Sequence, residues 1–310
     1  MGVIDTLSAG YTAVNRRLWL LSIPISLDLF FWVGPRIGLG RLTTTLALPF
    51  ATPGQGEGAQ AVPASFNLLM LLALHVPTYL GSALKVGEAA EAAEAATGAT
   101  GSGAAVLLAL VLIPLGLLVA SVYLTGIAQL FRKPAGGLEE LRQSAVQVWG
   151  RALKLHALLL AVGLGVGLPG IVLLVLSAAV HEVLATVLLV TLQLAALWAA
   201  IHLYFVLPAV VVGGHGPVAA VMSSVKVVRR SLWAAVGLIA VILVISIGMP
   251  MVWGVIRSQP IGMLVSIVAN AYVMTGLSAA TLLFYHDRTR RSADRESPEE
   301  VPPAASSISG

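Results

Sequence analysis

The chain has no cysteine, which excludes disulfide staples, zinc–thiolate sites and thiol catalysis and leaves the redox compartment open. It is also short of charge. Aspartate, glutamate, lysine and arginine make up 10% of its 310 residues, against about 25% in a soluble domain. A soluble fold of that size could not cover its surface with so few ionised groups. H-x-x-H and H-E-x-x-H spacings are missing, no paired carboxylates accompany His181 or His202, and the chain has no P-loop or credible Ser-His-Asp constellation. No metal site, cofactor or enzymatic activity is therefore expected.

What the chain has instead is long apolar runs, near 18–36, 104–130, 156–180, 183–213, 232–256 and 261–285. Crossing a hydrocarbon core of about 30 Å takes about 20 residues, so each run is a candidate transmembrane helix. A weaker run, Phe66 to Gly81, is interrupted by His75 and Pro77. It is short for a span and suits an interfacial or re-entrant helix within an outer segment, 37–103. The expected fold is an all-α integral membrane domain over 1–291, followed by a disordered cytoplasmic tail, 292–310, carrying Ser297-Pro298-Glu299-Glu300 and Pro302-Pro303.

Cations choose the orientation, because lysine and arginine are retained on the cytoplasmic face. Six passes starting inside leave only Arg36, Arg41, Lys85 and Arg257 outside, against fourteen basic residues inside. A seventh pass at 66–81 would put Arg16 and Arg17 outside. Both termini are thus expected in the cytoplasm of a bacterial cell, with the chain in the plasma membrane. Asn15-Arg16-Arg17-Leu18-Trp19-Leu20 echoes a twin-arginine export signal. Pro24, Asp28 and the lack of a nearby A-x-A site favour a positive flank on a retained first helix.

A repeat is visible ahead of three of the spans. Ile4, Leu7, Tyr11, Val14 and Leu18 recur 214 residues later as Val218, Val221, Val225, Val228 and Leu232. Gly2, Arg16 and Trp19 map to Gly216, Arg230 and Trp233 at the same offset. A third stripe, Leu138, Leu141, Ala145, Val148 and Ala152, precedes the span at 156–180, with Arg17 mapping to Arg151. The architecture expected is three units, each an in-plane amphipathic helix followed by a transmembrane hairpin. Arg16, Arg17, Arg151, Lys154, Lys226, Arg229 and Arg230 would meet anionic lipid of the inner leaflet. No aromatic residues interleave these cations, so nucleic acid is not an expected partner.

Ala220-x-x-x-Ser224, with Leu232-Trp233 beyond it, follows Leu207-Pro208-x-Val210-Val211-Val212 and the turn Gly213-Gly214-His215-Gly216. The last span ends Ala279-Ala280-x-Leu282-Leu283-Phe284-Tyr285-His286-Asp287. Over residues 137–291 this resembles the membrane domain attached to some bacterial glycerophosphodiester phosphodiesterases and its stand-alone relatives of unknown function. In the fused proteins a catalytic barrel follows. Only Arg288 to Gly310 follows here, so the resemblance implies a membrane fold and carries over no catalytic residue.

Among polar residues in the apolar runs, Asp28 is the sharpest. About ten residues past the inner boundary it lies about 15 Å deep, where an aspartate costs about 2.5–3.5 kcal/mol on insertion scales. Asn270, entering from the opposite side to a similar depth, is its expected partner. Asp28 either ties the first span to the sixth or binds a proton or cation for transport, and the lack of a second acid favours the structural role. His202 is expected as a hydrogen-bonded packing residue, and His181-Glu182 as the cap of an outer turn. Gly165-Val166-Gly167-Leu168-Pro169-Gly170 spells G-x-G-x-x-G without the strand a dinucleotide fold needs, so close helix packing through Gly163-x-x-x-Gly167 is expected instead. Pro24, Pro114, Pro169, Pro208 and Pro250 are expected to kink their spans. Leu84–Ala96, with Glu88, Glu91 and Glu94, is expected as a solvated helix between linkers at 51–62 and 97–103. These features point to a membrane scaffold or partner subunit, working with another protein or as a homo-oligomer. The alternative is a small transporter using Asp28.

Overall fold

The computed structural model describes residues 2–35, 37, 67–83, 102–131 and 137–296. The expected helix at 84–96, the linker at 51–62, most of that at 97–103 and the tail beyond 296 lie outside the described residues. Among the described residues there are helices and no strands. They are α1 (Val3–Asn15), α2 (Ser22–Val33), α3 (Tyr79–Ala83), α4 (Ser102–Ala128), α5 (Leu138–Val180), α6 (Glu182–Leu203), α7 (Val206–Val211), α8 (Pro217–Arg230), α9 (Leu232–Gly254) and α10 (Pro260–Glu296). Five stretches, Gly103–Phe131, Leu138–Val180, Glu182–Val211, Leu232–Gly254 and Pro260–Ser292, are long and apolar enough to cross a membrane. The chain is a helical membrane protein.

The first expected pass is shorter than these. A 3-10 turn, Leu18–Leu21, leads into α2. With rises of about 2.0 and 1.5 Å per residue the two cover about 26 Å. Pro24 stands in the first turn of α2, where its missing N–H would be unpaired anyway, so it does not kink the helix. At the other end of the chain, α10 continues through Glu296, past the expected start of the tail at 292.

The expected separation between an in-plane helix and the third span is absent, because α5 is one helix of 43 residues, about 65 Å long. The other two junctions do break. Arg17 takes φ −145°, ψ 66° and Ser231 takes φ −142°, ψ 44°, and each ends a helix. Between Leu138 and the start of the apolar run the only weak helix former is Gly150, which costs about 1 kcal/mol and does not stop a helix.

The long helix α10 is the axis of the bundle. Tyr123 Oη donates to Thr275 Oγ1 (3.0 Å) from α4, and Ser223 shares a 2.6 Å hydrogen bond with Tyr285 from α8. Along α1, the Tyr11 hydroxyl donates to the Val273 carbonyl and Tyr272 donates to Asn15 Oδ1. These contacts are possible because Gly10 lets two backbones meet: a Cβ there would lie 2.7 Å from Ala280 N. The buried face of α1 is Thr6, Gly10 and Val14, and that of α8 is Ala220, Ser224, Val227 and Val228. The larger apolar side chains at the head of each stripe point outward, Ile4 81% exposed and Val218 62%. Small residues facing protein and large ones facing out is the arrangement helices adopt in lipid, where close backbone approach and not apolar burial drives association.

The α5–α6 hairpin differs from everything else. His181 joins the two helices, its Nδ1 accepting from the Val183 N–H, so it caps α6 as expected. The apolar windows of both helices have no buried residue. Gly163, Gly165 and Gly167 have nothing within reach of a Cβ. The expected packing through Gly163-x-x-x-Gly167 is therefore not made among the described residues.

Candidate functional site

The most unusual local structure lies at 67–83. Asn67 Oδ1 accepts from the Ile37 and Leu69 N–H groups and starts a 3-10 helix, Leu68–Ala73. Leu68 and Leu69 pack with Phe31, Ala105 and Leu112. Leu71 and Leu72 then cross α4 at Gly116, where a Cβ would collide with the Leu71 carbonyl oxygen. His75 borders a crevice with Leu124. From Leu112 to Leu124 the segment has advanced about 18 Å along α4 at 1.5 Å per residue. It turns at His75, the only non-glycine residue among those described with positive φ (64°). Tyr79 then packs on Ile267, and Leu80 returns to the Phe31 and Leu112 cluster. Of the two forms the sequence left open, the segment takes the one that enters the bundle and doubles back. Non-helical backbone at such a place needs protein around it, and Leu68, Val76, Thr78 and Tyr79 are all buried.

Asp28 holds the return leg. It is 0% exposed. Its Oδ2 accepts from the Tyr79 N–H at 2.8 Å and its Oδ1 from the Leu80 N–H at 2.9 Å. Both donors are at the start of α3, where N–H groups have no partner within the helix. The expected pairing with Asn270 does not occur. Asn270 is also 0% exposed, but neither its Oδ1 nor its Nδ2 has a hydrogen-bond partner among the described residues. The reason is the doubled-back segment, whose backbone reaches the carboxylate first.

A second junction is built around Pro208. The expected span at 183–213 breaks between α6 and α7 at Tyr204 and Phe205, where Pro208 has no N–H to give the Tyr204 carbonyl; Pro114, Pro169 and Pro250 lie within unbroken helices. Ser224 of α8 repairs the break. Its Oγ donates to the His202 carbonyl at 2.6 Å and accepts from the Phe205 N–H at 3.1 Å. His202 itself places Nδ1 2.9 Å from the Trp198 carbonyl and its ring 4.6 Å from that of Trp198. This is the packing role its sequence context suggests. Ser224→Ala would leave two backbone groups unpaired, at about 1–3 kcal/mol each when buried. A clear drop in the thermal midpoint of purified protein is expected, while His202→Gln, which keeps the backbone carbonyl, should change it little. Equal midpoints for Ser224→Ala and the parent chain would refute the repair.

The basic residues are spread over three helices. Arg16, Lys154, Lys226, Arg229 and Arg230 are exposed, while Arg17 and Arg151 are half-buried. Arg229 and Arg230 occupy the last turn of α8, where cations oppose the negative end of the helix dipole. No group of three or more His, Asp or Glu side chains able to hold a metal ion occurs among the described residues.

Compared with family models, curated proteins and solved structures, the chain matches none. Its site must be judged on chemistry alone. That chemistry is structural at Asp28 and Ser224, where polar side chains satisfy backbone that has left the helix. Sequence reasoning missed this use of Ser224, although the residue stands in the Ala220-x-x-x-Ser224 motif. It also missed the approach of His75 to His156, whose Nε2 atoms are 2.8 Å apart. The only sequence signal was a histidine interrupting a weak apolar run.

Proposed function

We propose that the protein crosses the membrane six times, with both termini cytoplasmic, and acts as a scaffold or partner subunit without catalysis. The α5–α6 hairpin is the arm that engages another transmembrane segment, in the simplest case that of a second copy. The observation that carries this is the lack of burial in the apolar windows of both helices of the arm. Two details support it. The Gly163, Gly165 and Gly167 face is open, and small faces are what transmembrane helices use to approach closely. Gln193, near the middle of α6, is exposed and has no hydrogen-bond partner among the described residues. An amide facing hydrocarbon gains from pairing across helices, and a glutamine amide both donates and accepts, so it can pair with its own copy.

The threefold plan belongs to the same proposal. In support, α1 and α8 share their caps (Gly2 at φ −73°, ψ 174°; Gly216 at φ −71°, ψ 171°). They also share breaks at Arg17 and Ser231 and buried positions at Thr6 and Ala220, Gly10 and Ser224, Val14 and Val228. The middle unit departs from the plan through its unbroken α5. The likeness to phosphodiesterase membrane domains, and the meeting of the basic residues with anionic lipid, also stand as proposals. Against transport through Asp28 stands its burial, with both oxygens occupied by backbone.

Two experiments test the reading. The chain has no cysteine of its own, so single cysteines can be introduced at Ser8, Arg257 and Ser292. On intact cells a membrane-impermeant maleimide should label only Arg257→Cys; labelling at either of the other two would overturn the threading. Photo-crosslinking side chains at Leu164 and Leu194, 50% and 61% exposed, should give a dimer-sized adduct in native membranes. The adduct should disappear in the Gly163→Leu/Gln193→Leu double variant. Adducts with lipid alone would refute the arm.

A further inference from the structure

Two histidines far apart in sequence meet where the doubled-back segment turns. His75 Nε2 lies 2.8 Å from His156 Nε2, with the rings edge-on and their centroids 5.0 Å apart. The tautomers follow from the partners. His156 Nδ1 is 2.8 Å from the Ala152 carbonyl oxygen, which can only accept, so Nδ1 carries the hydrogen. A neutral imidazole has a single N–H, which leaves His156 Nε2 as a lone pair. His75 Nε2–H therefore donates to it, and His75 Nδ1 is the one free base of the pair.

His75 is exposed and His156 is half-buried. They border a crevice of about 290 Å³ that also holds Tyr204, Ser278 and Thr281. From α4 and α7 the crevice receives only apolar side chains, such as Leu124 and Pro208. From α6 it receives the Tyr204 phenol, and from α10 the two hydroxyls. On α5 itself, Arg151 rests against Gly214 and Lys154 is exposed, while His202 of α6 is turned onto Trp198. Among the described residues the Tyr204 phenol is thus the one other titratable group on the crevice wall. His75 sits at φ 64°, a left-handed conformation that a residue with a Cβ keeps only where its surroundings enforce it, and such positions gather at functional sites.

We propose that His75 and His156 form a binding site for a single proton, a function independent of the scaffold reading. A proton from water adds to His75 Nδ1, and His75 becomes an imidazolium. Its Nε2–H bond to His156 is then charge-assisted and stronger. Transfer of that hydrogen to His156 Nε2 leaves His75 neutral, with its hydrogen on Nδ1, and His156 as the imidazolium, still donating Nδ1–H to the Ala152 carbonyl. One proton enters, one positive charge results, and it moves from the tip of the doubled-back segment to α5. A second proton is opposed by like charge at contact distance.

The test is nitrogen NMR of histidine-labelled full-length chain in lipid nanodiscs, titrated from pH 8 to 4, with signals assigned by single His→Gln variants. At pH 8, His75 should show the Nε2–H tautomer and His156 the Nδ1–H tautomer. On acidification the two should shift together and take up one proton between them. In His75→Gln, His156 should titrate alone, on a curve displaced from that of the parent chain; in His156→Gln, the remaining ring of His75 should likewise take up a whole proton by itself. The second variant serves where the first does not fold. Independent titration, with each ring of the parent chain taking up its own proton, would overturn the proposal. So would a His156 curve unchanged by His75→Gln.

Discussion

Asp28→Ala is expected to free the doubled-back segment from the bundle and to leave little folded protein after extraction. The carboxylate is the partner of two buried N–H groups, those of Tyr79 and Leu80. Removing it leaves both unsatisfied, at about 1–3 kcal/mol each. The sum is a large part of the total stability of about 5–15 kcal/mol typical of a folded domain. Asp28→Asn should fall in between, because an amide presents one acceptor oxygen where the carboxylate presents two. Thermal unfolding and protease access to residues 67–83 read this directly. An Asp28→Ala protein as stable and as protease-resistant as the parent would sink the structural assignment. An Asp28→Asn protein of unchanged stability that has lost solute flux in proteoliposomes would restore transport.

Gly116→Ala should also destabilise, although alanine is ordinarily the better helix former by about 1 kcal/mol. The reversed sign is the diagnostic. A Cβ on Gly116 would meet the Leu71 carbonyl oxygen, backbone of the doubled-back segment, which cannot rotate away as a side chain could. Overpacking of this kind typically costs about 1–3 kcal/mol, and Gly116→Leu should expel the segment altogether. Gly150→Ala is the control. Gly150 lies inside α5 with nothing near a Cβ, so there alanine should raise the midpoint. If both alanine variants stabilise, Leu71 does not cross α4 at Gly116.

How far residues alone lead depends on what each residue answers to. The ends of α4 and α9 follow the hydropathy, since length and apolarity are properties of the run itself. His181 as a cap and His202 as a packing residue were also legible, because their partners, the Val183 N–H and Trp198, lie within a few positions. The stripes ahead of the spans predicted helices, and the third also marked a buried face at Leu141, Ala145, Val148 and Ala152, whereas the other two marked theirs only at Val14 and Val228. Thr6, Gly10 and Ser224 turned inward because small side chains allow close approach, a criterion that an apolar period does not measure.

The misses share one cause. Asn270 is at a depth close to that of Asp28, yet the carboxylate bonds a segment whose path no periodicity describes. Gly163 and Gly167 have the spacing of a packing face, but whether a neighbour reaches that face is decided by where α5 leaves the body. The unbroken α5 escaped notice because the repeated apolar stripe was taken to mark a separate helix in each unit, and nothing between Leu138 and the apolar run stops the helix there.

Sequence by itself determined that this is a helical membrane protein without thiol chemistry, because few charges and long apolar runs are compatible with little else. Only tertiary structure decided that Asp28 serves the backbone of Tyr79 and Leu80, that Ser224 spans a broken helix, and that His75 meets His156. Those pairings join residues 51, 19 and 81 positions apart. A hydrogen bond is set by distance and direction in space, and a composition or a period specifies neither between elements that distant in the chain.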